Sequence, residues 1–106
     1  MIVTNTETVP GYRITRYLGM VQGSTVRAKH LGRDILSGLK NLVGGELTSY
    51  TELMSEARAE SIARMTEEAE RMGADAVVNV RLATATVTSG AAELLAYGTA
   101  VELGRE

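Results

Sequence analysis

From Thr48 to Met72, apolar or small side chains recur at three- and four-residue spacing: Tyr50, Leu53, Met54, Ala57, Ser61, Met65, Ala69 and Met72. That period puts them on one stripe of an α-helix. Thr48 or Ser49 supplies a capping hydroxyl, Ser49 standing three residues before Glu52 in capping-box spacing, and Gly73 supplies the stop. Ala59, Ile62 and Ala63 form a second small-residue stripe beside the first. A helix with two apolar flanks has more to cover than one sheet face offers. On its outer side Glu60 and Arg64 form an i,i+4 pair, worth only a few tenths of a kcal/mol.

Around this helix the pattern is β-like. Residues 1–4 read as a short strand, which the Pro10-Gly11 turn separates from the next. From Arg13 to Lys29, β-branched Ile14, Val21 and Val26 and aromatic Tyr12 and Tyr17 predict one long kinked strand or a hairpin, with Gly19 and Gly23 marking bulges or a bend. Ile35, Leu36, Leu39 and Leu42 predict a short helix over 33–42, stopped by Gly44-Gly45. Ala76 to Val87 alternates, with Val78, Val80 and Leu82 opposing Val77, Asn79 and Arg81. After the Ser89-Gly90 turn, Ala92 to Leu103 is apolar on both faces, as for a strand between two packed surfaces, one of which could be another subunit. The expected architecture is α+β: a small antiparallel sheet with one short and one long helix, in a single domain over residues 1–106.

The chain has 106 residues, enough for one domain and too few for two. A chain of this size buries only about two-thirds of its unfolded surface, so extra burial between subunits would help. There is no Phe, Trp or Cys, and all four aromatics are Tyr. The core must therefore be built from Val, Leu, Ile, Met and Ala, and disulfides, thiolate metal sites and thiol nucleophiles are excluded. A net charge of −2 gives no broad positive field for nucleic acid. Met1-Ile2-Val3-Thr4-Asn5-Thr6 has no basic region or apolar run, and no membrane-length apolar stretch occurs, so no membrane is involved and cytoplasmic residence is expected.

Tyr17-Leu18-Gly19, Asp34, Gly44-Gly45, Tyr50, Glu56-Ala57-Arg58, Ala69 and Gly73-Ala74-Asp75-Ala76-Val77-Val78, in this order and spacing, resemble the YbjQ family across essentially the whole chain. The resemblance implies a compact α+β subunit assembled into a homopentameric ring, and it carries the label "putative heavy-metal-binding" without an established activity. Gly44, Gly45, Tyr50, Arg58, Gly73, Ala74 and Asp75 are the family-motif or interface positions it marks. Asp75 stands where the family pattern more often has Asn, a near-isosteric change that leaves the turn reading intact.

The residues themselves offer few reactive groups. His30 is the only histidine and, with no cysteine, the only borderline-soft ligand apart from Met. Zinc-type sites use three or four N or S ligands, so a histidine bonded to backbone or water at a strand-to-helix junction is the stronger reading, unless copies converge in a ring. Glu52, Glu56 and Glu60 step up one helix face. Such a row suits a hard divalent metal ion between subunits, though solvent-facing or intersubunit ion-pairing roles weigh more. Met54, Met65 and Met72 at helical spacing read as adaptable core. Arg58 follows Ala57 in an apolar neighbourhood, where an ion pair with Asp34, Asp75 or a neighbouring subunit outweighs ligand binding. Gly44-Gly45 precedes a helix but lacks the P-loop lysine, and no nucleophile-elbow serine occurs. The expected function is a non-enzymatic homo-oligomer that binds or scaffolds, with metal or small-ligand binding at its interfaces as the alternative. No catalytic residue is expected, and a divalent metal ion is the one candidate cofactor.

Overall fold

In a computed structural model of the chain, residues 1–28, 45–88 and 91–106 are described, and the short helix expected at 33–42 lies outside them. β1 (Ile2–Val3), β2 (Tyr12–Ala28), α1 (Gly45–Arg71), β3 (Ala76–Thr88) and β4 (Ala91–Arg105) follow in chain order. The strands form one sheet in the order β1-β3-β4-β2. β2 and β3 are each antiparallel to β4, as expected, but β1 runs parallel to β3, pairing Ile2 with Ala76 and Val3 with Val77. The sheet is therefore mixed rather than antiparallel. A two-residue strand has too little pattern to reveal its partner or direction.

The 27-residue α1 begins at Gly45, earlier than the capping residues suggest, and spans about 40 Å. Its end is a Schellman motif. Gly73 takes φ +81°, its N–H donates to Glu70 O at 3.0 Å, and Ala74 N–H donates to Ala69 O at 3.1 Å. A side chain rarely adopts that backbone conformation, so glycine fits the stop.

α1 lies on one face of the sheet, chiefly over β2 and β4. Ala57, Ser61, Met65 and Ala69, four apart, are its buried stripe. Met65 and Ala69 pack with Val21 of β2, Val77 of β3 and Ala96 and Ala100 of β4, flanked by Leu18, Ile62, Ala74 and Val80. Small residues bring the backbones close. A Cβ on Gly23 would stand 2.3 Å from Ser61 O and 2.4 Å from Met65 N. Gly23 is thus a notch for the helix, in regular register opposite Ala96, and not a bulge. Gly19 does sit at a bulge, with φ +128°; the extra residue there, Leu18, turns toward the helix side.

Ser61 is fully buried. Its Oγ lies 2.9 Å from Ala57 O, 3.0 Å from Leu94 O and 2.9 Å from Thr25 Oγ1. One hydroxyl hydrogen serves one of these oxygens at a time, leaving Thr25 able to donate back, so helix, β2 and β4 meet at a satisfied polar knot.

β3 departs from the uninterrupted alternation expected of it. Between the pairs Val78–Thr99 and Arg81–Tyr97, two β3 residues, Asn79 and Val80, oppose the single Gly98 of β4. Asn79 takes φ +55°, a left-handed conformation that Asn tolerates better than most side chains. This bulge resets the phase, so Val77 and Val80 both face the helix. Gly98 makes room: a Cβ there would lie 2.8 Å from Val77 Cγ1 and 3.2 Å from Val80 Cγ2.

Candidate functional site

The sheet face away from α1 is only partly covered. At one end Val9, Ala76, Val78 and Val101 are buried, with Ile14 and Leu103 packed against them. Val9 belongs to the loop between β1 and β2, which folds over this end. Elsewhere, nothing among the described residues covers the face. Residues directly opposite in antiparallel pairs share a face, so the pairs Tyr17–Val101, Met20–Thr99, Gln22–Tyr97, Ser24–Leu95 and Val26–Glu93 lie on it together. Tyr17 is 69%, Met20 72% and Val26 54% exposed, while Leu95 and Tyr97 are half-buried. The final strand lies between two apolar layers only where the loop folds over it; among the described residues nothing supplies the second layer along the rest.

Where the loop meets β2 a half-open cleft of about 530 Å³ forms, lined among others by Glu7, Tyr12, Arg13, Tyr17, Asn79 and Glu106. The turn at Gly11, with φ +84°, carries the chain from the loop into Tyr12. Among the described residues neither Arg13 nor Glu7 is in an ion pair. Aromatic walls and charges of both signs suit a small polar molecule, and the left-handed Asn79 gives the wall a fixed, uncommon backbone shape. Apart from Tyr17, which opens the Tyr17-Leu18-Gly19 motif, sequence reasoning did not single out these residues. The available signals were an Asn inside an alternating strand and the Pro10-Gly11 turn.

The residues singled out from the sequence do not meet there. His30, Asp34 and Gly44 lie outside the described residues, Gly45 opens α1 and Tyr50 lies in its first turns. Arg58 is exposed rather than set among apolar side chains, and its Nη2 donates to Ser55 Oγ at 3.0 Å. It sits one residue past the buried stripe, 100° around the helix from Ala57, which turns it to solvent. Glu52 and Glu56 are exposed, and Glu60 pairs with Arg64 as expected. Among the described residues no three His, Cys, Asp or Glu side chains converge to hold a metal ion.

Gly73-Ala74-Asp75 is the motif with a visible structural task. Gly73 and Ala74 close the helix, and Asp75 ties the exit to β4: its N–H donates to Val101 O at 2.9 Å, and Leu103 N–H donates to its Oδ2 at 2.8 Å. Its carbonyl receives Ile2 N–H at 3.4 Å, bringing β1 to the same junction.

Comparison with known proteins places this arrangement in context. The chain is 61% identical over 101 residues to a UPF0145 protein of Hahella chejuensis, covering 95% of this chain and 97% of that one. It is 60% identical over 103 residues to a UPF0145 protein of Methanosarcina acetivorans, covering 97% of each. A crystal structure of a protein of unknown function from Pediococcus pentosaceus, of the DUF74 family, shares the fold, with a TM-score of 0.66 over 98% of both chains at 14% identity. The family model YbjQ_1, described as "Putative heavy-metal-binding", matches residues 1–104, and the chain belongs to that family.

Proposed function

We propose that this chain is the subunit of a ring-shaped homo-oligomer, a pentamer working in the cytoplasm, whose role is binding or scaffolding rather than catalysis. The observation that carries the reading is the uncovered sheet face with Tyr17, Met20 and Val26 at 69%, 72% and 54% exposure. Large apolar side chains this exposed on one sheet face suit a contact surface. The dimensions agree. The subunit exposes 6813 Å², where a monomer of its mass exposes about 5,700 Å², and its radius of gyration is 17.3 Å, where a compact domain of this length has about 13 Å.

Light scattering with sedimentation velocity tests this directly. The expected species has five times the subunit mass, and a monomer at micromolar concentration overturns the reading.

A second reading, binding of a metal ion or small ligand where subunits meet, is favoured by the family's description, "Putative heavy-metal-binding", and by the cleft beside the open face. With no cysteine in the chain, ligands for a soft ion would have to come from histidine, methionine or carboxylates gathered from several copies. Metal-free protein titrated with Zn²⁺, Cu²⁺, Ni²⁺ and Ca²⁺ should then melt at higher temperature with one of them, an ion at a hundred times its Kd adding about 2.7 kcal/mol. No change with any ion at large excess removes the metal reading and leaves the oligomer standing.

A further inference from the structure

The charges around the cleft between the β1–β2 loop and β2 are unevenly placed. Glu7 and Glu106 line it and are exposed. Among the described residues neither carboxylate takes part in a hydrogen bond or an ion pair. Glu106 is held at the rim by its own N–H, which donates to Gly11 O at 3.4 Å. Arg13 also lines the cleft, but its guanidinium lies elsewhere. A Cβ on Gly104 would stand 3.5 Å from Arg13 Nη2 and 3.6 Å from Arg13 Cζ. Leu103 packs on the open side of the sheet with the cluster that holds Val9 and Ile14, so alternation points the next residue, Gly104, to the helix side. The positive charge of Arg13 is carried round to that side, in the space that Gly104 leaves free. Arg105, opposite Tyr12 on β4, stands outside the lining.

What faces the cleft is therefore an excess of negative charge beside aromatic rings. Tyr12 is 39% and Tyr17 69% exposed, so both rings offer surface to a visitor. Two carboxylates fall short of the six to eight oxygens that a calcium ion collects, and among the described residues no third acid joins them. A tyrosine face attracts an organic cation through its π electrons, and Val9 and Ile14 give the lining apolar surface for a carbon body. The volume, about 530 Å³, lies within the range of small-molecule sites.

We infer that the cleft takes an organic ammonium ion with a short apolar body, its charge balanced by Glu7 and Glu106 and its carbons against the tyrosines. This rests on the small-ligand reading above and names the ligand's chemistry. All the groups that recognise it come from one subunit.

Calorimetric titration of the full chain, with the ring-proton resonances of Tyr12 and Tyr17 followed in parallel, tests the inference with four-carbon probes that differ in charge: butylammonium, butyltrimethylammonium, butanoate and butanol. The two ammonium ions should bind saturably and move both tyrosine resonances, with butanoate and butanol at least about tenfold weaker. Glu7→Gln, at an exposed position where the fold does not depend on the charge, should weaken the ammonium ions roughly two- to fivefold, and Tyr12→Leu roughly threefold. Glu52→Gln removes the same charge from the exposed side of α1, away from the cleft, and should leave binding unchanged. Equal losses from Glu52→Gln and Glu7→Gln would reduce the effect to general attraction to an acidic surface and overturn the inference. Butanoate binding as tightly as butylammonium, with the same tyrosines moving, overturns the assigned charge and spares the small-ligand reading. No saturable change with any of the four probes overturns the inference and leaves the metal reading to its own titration.

Discussion

Gly23 leaves no space for even a methyl group. The atoms a Cβ would strike are the helix backbone at Ser61 and Met65, not a side-chain tip that could swing aside. Gly23→Ala should therefore lift α1 off β2 and cost about 3 kcal/mol or more, near the upper end for overpacking, read as a loss of stability in urea with the slope unchanged. At the same contact, Ser61→Ala removes the hydroxyl that joins Thr25, Ala57 and Leu94. Thr25, only 2% exposed, then loses its buried partner. The expected loss is about 1–2 kcal/mol, and a Ser61→Ala, Thr25→Val double variant should recover part of it because both polar groups then go together. Asn79 belongs among these positions too. Its left-handed backbone is what moves Val80 to the helix side of the sheet.

Among the elements, α1 was the most legible. Its stripe at 57, 61, 65 and 69 is the buried one, and Gly73 ends it. A helix announces itself through local periodicity and local stops. Gly73→Ala should cost about 1–2 kcal/mol, since a Cβ is strained at φ +81°, lowering the melting temperature by roughly 4–8 °C per kcal/mol. The strands were legible in place but less so in phase. β2, β3 and β4 appear where alternation predicted them, yet the sheet is mixed through β1, and the bulge at Asn79-Val80 reverses the faces expected for everything after it. Both failures are non-local: strand direction and bulge register depend on the partner strand, which no window of β3 contains. The same holds for Gly23, whose meaning lies in Ser61 and Met65, about forty residues on. The cleft was not legible at all, because its lining comes from the loop, β2, β3 and the chain's last residue, brought together only by the sheet. Arg58 shows the converse: its neighbours in sequence are apolar, but the turn of the helix carries it out to water.

For the molecule as a whole, the helix covers one side of the sheet and the β1–β2 loop covers one end of the other. Among the described residues the rest of that face stays open, a mix of apolar and polar side chains whose most exposed large apolar members are Tyr17 and Met20. Replacing either by Glu should leave the isolated subunit folded, because neither packs in its core, and should weaken assembly by about tenfold or more through a desolvated charge at the contact. Dilution followed by light scattering reads the shift, and an unchanged mass at every concentration for both variants would place the contact elsewhere. The distribution of tyrosines has a practical corollary. Tyr12, Tyr17 and Tyr97 are in phase on that open side and the chain has no tryptophan, so its ultraviolet absorption and emission come from tyrosine, mostly rings standing where neighbours would settle. On the proposed assembly, tyrosine absorption and emission would serve as an unlabelled optical gauge of association.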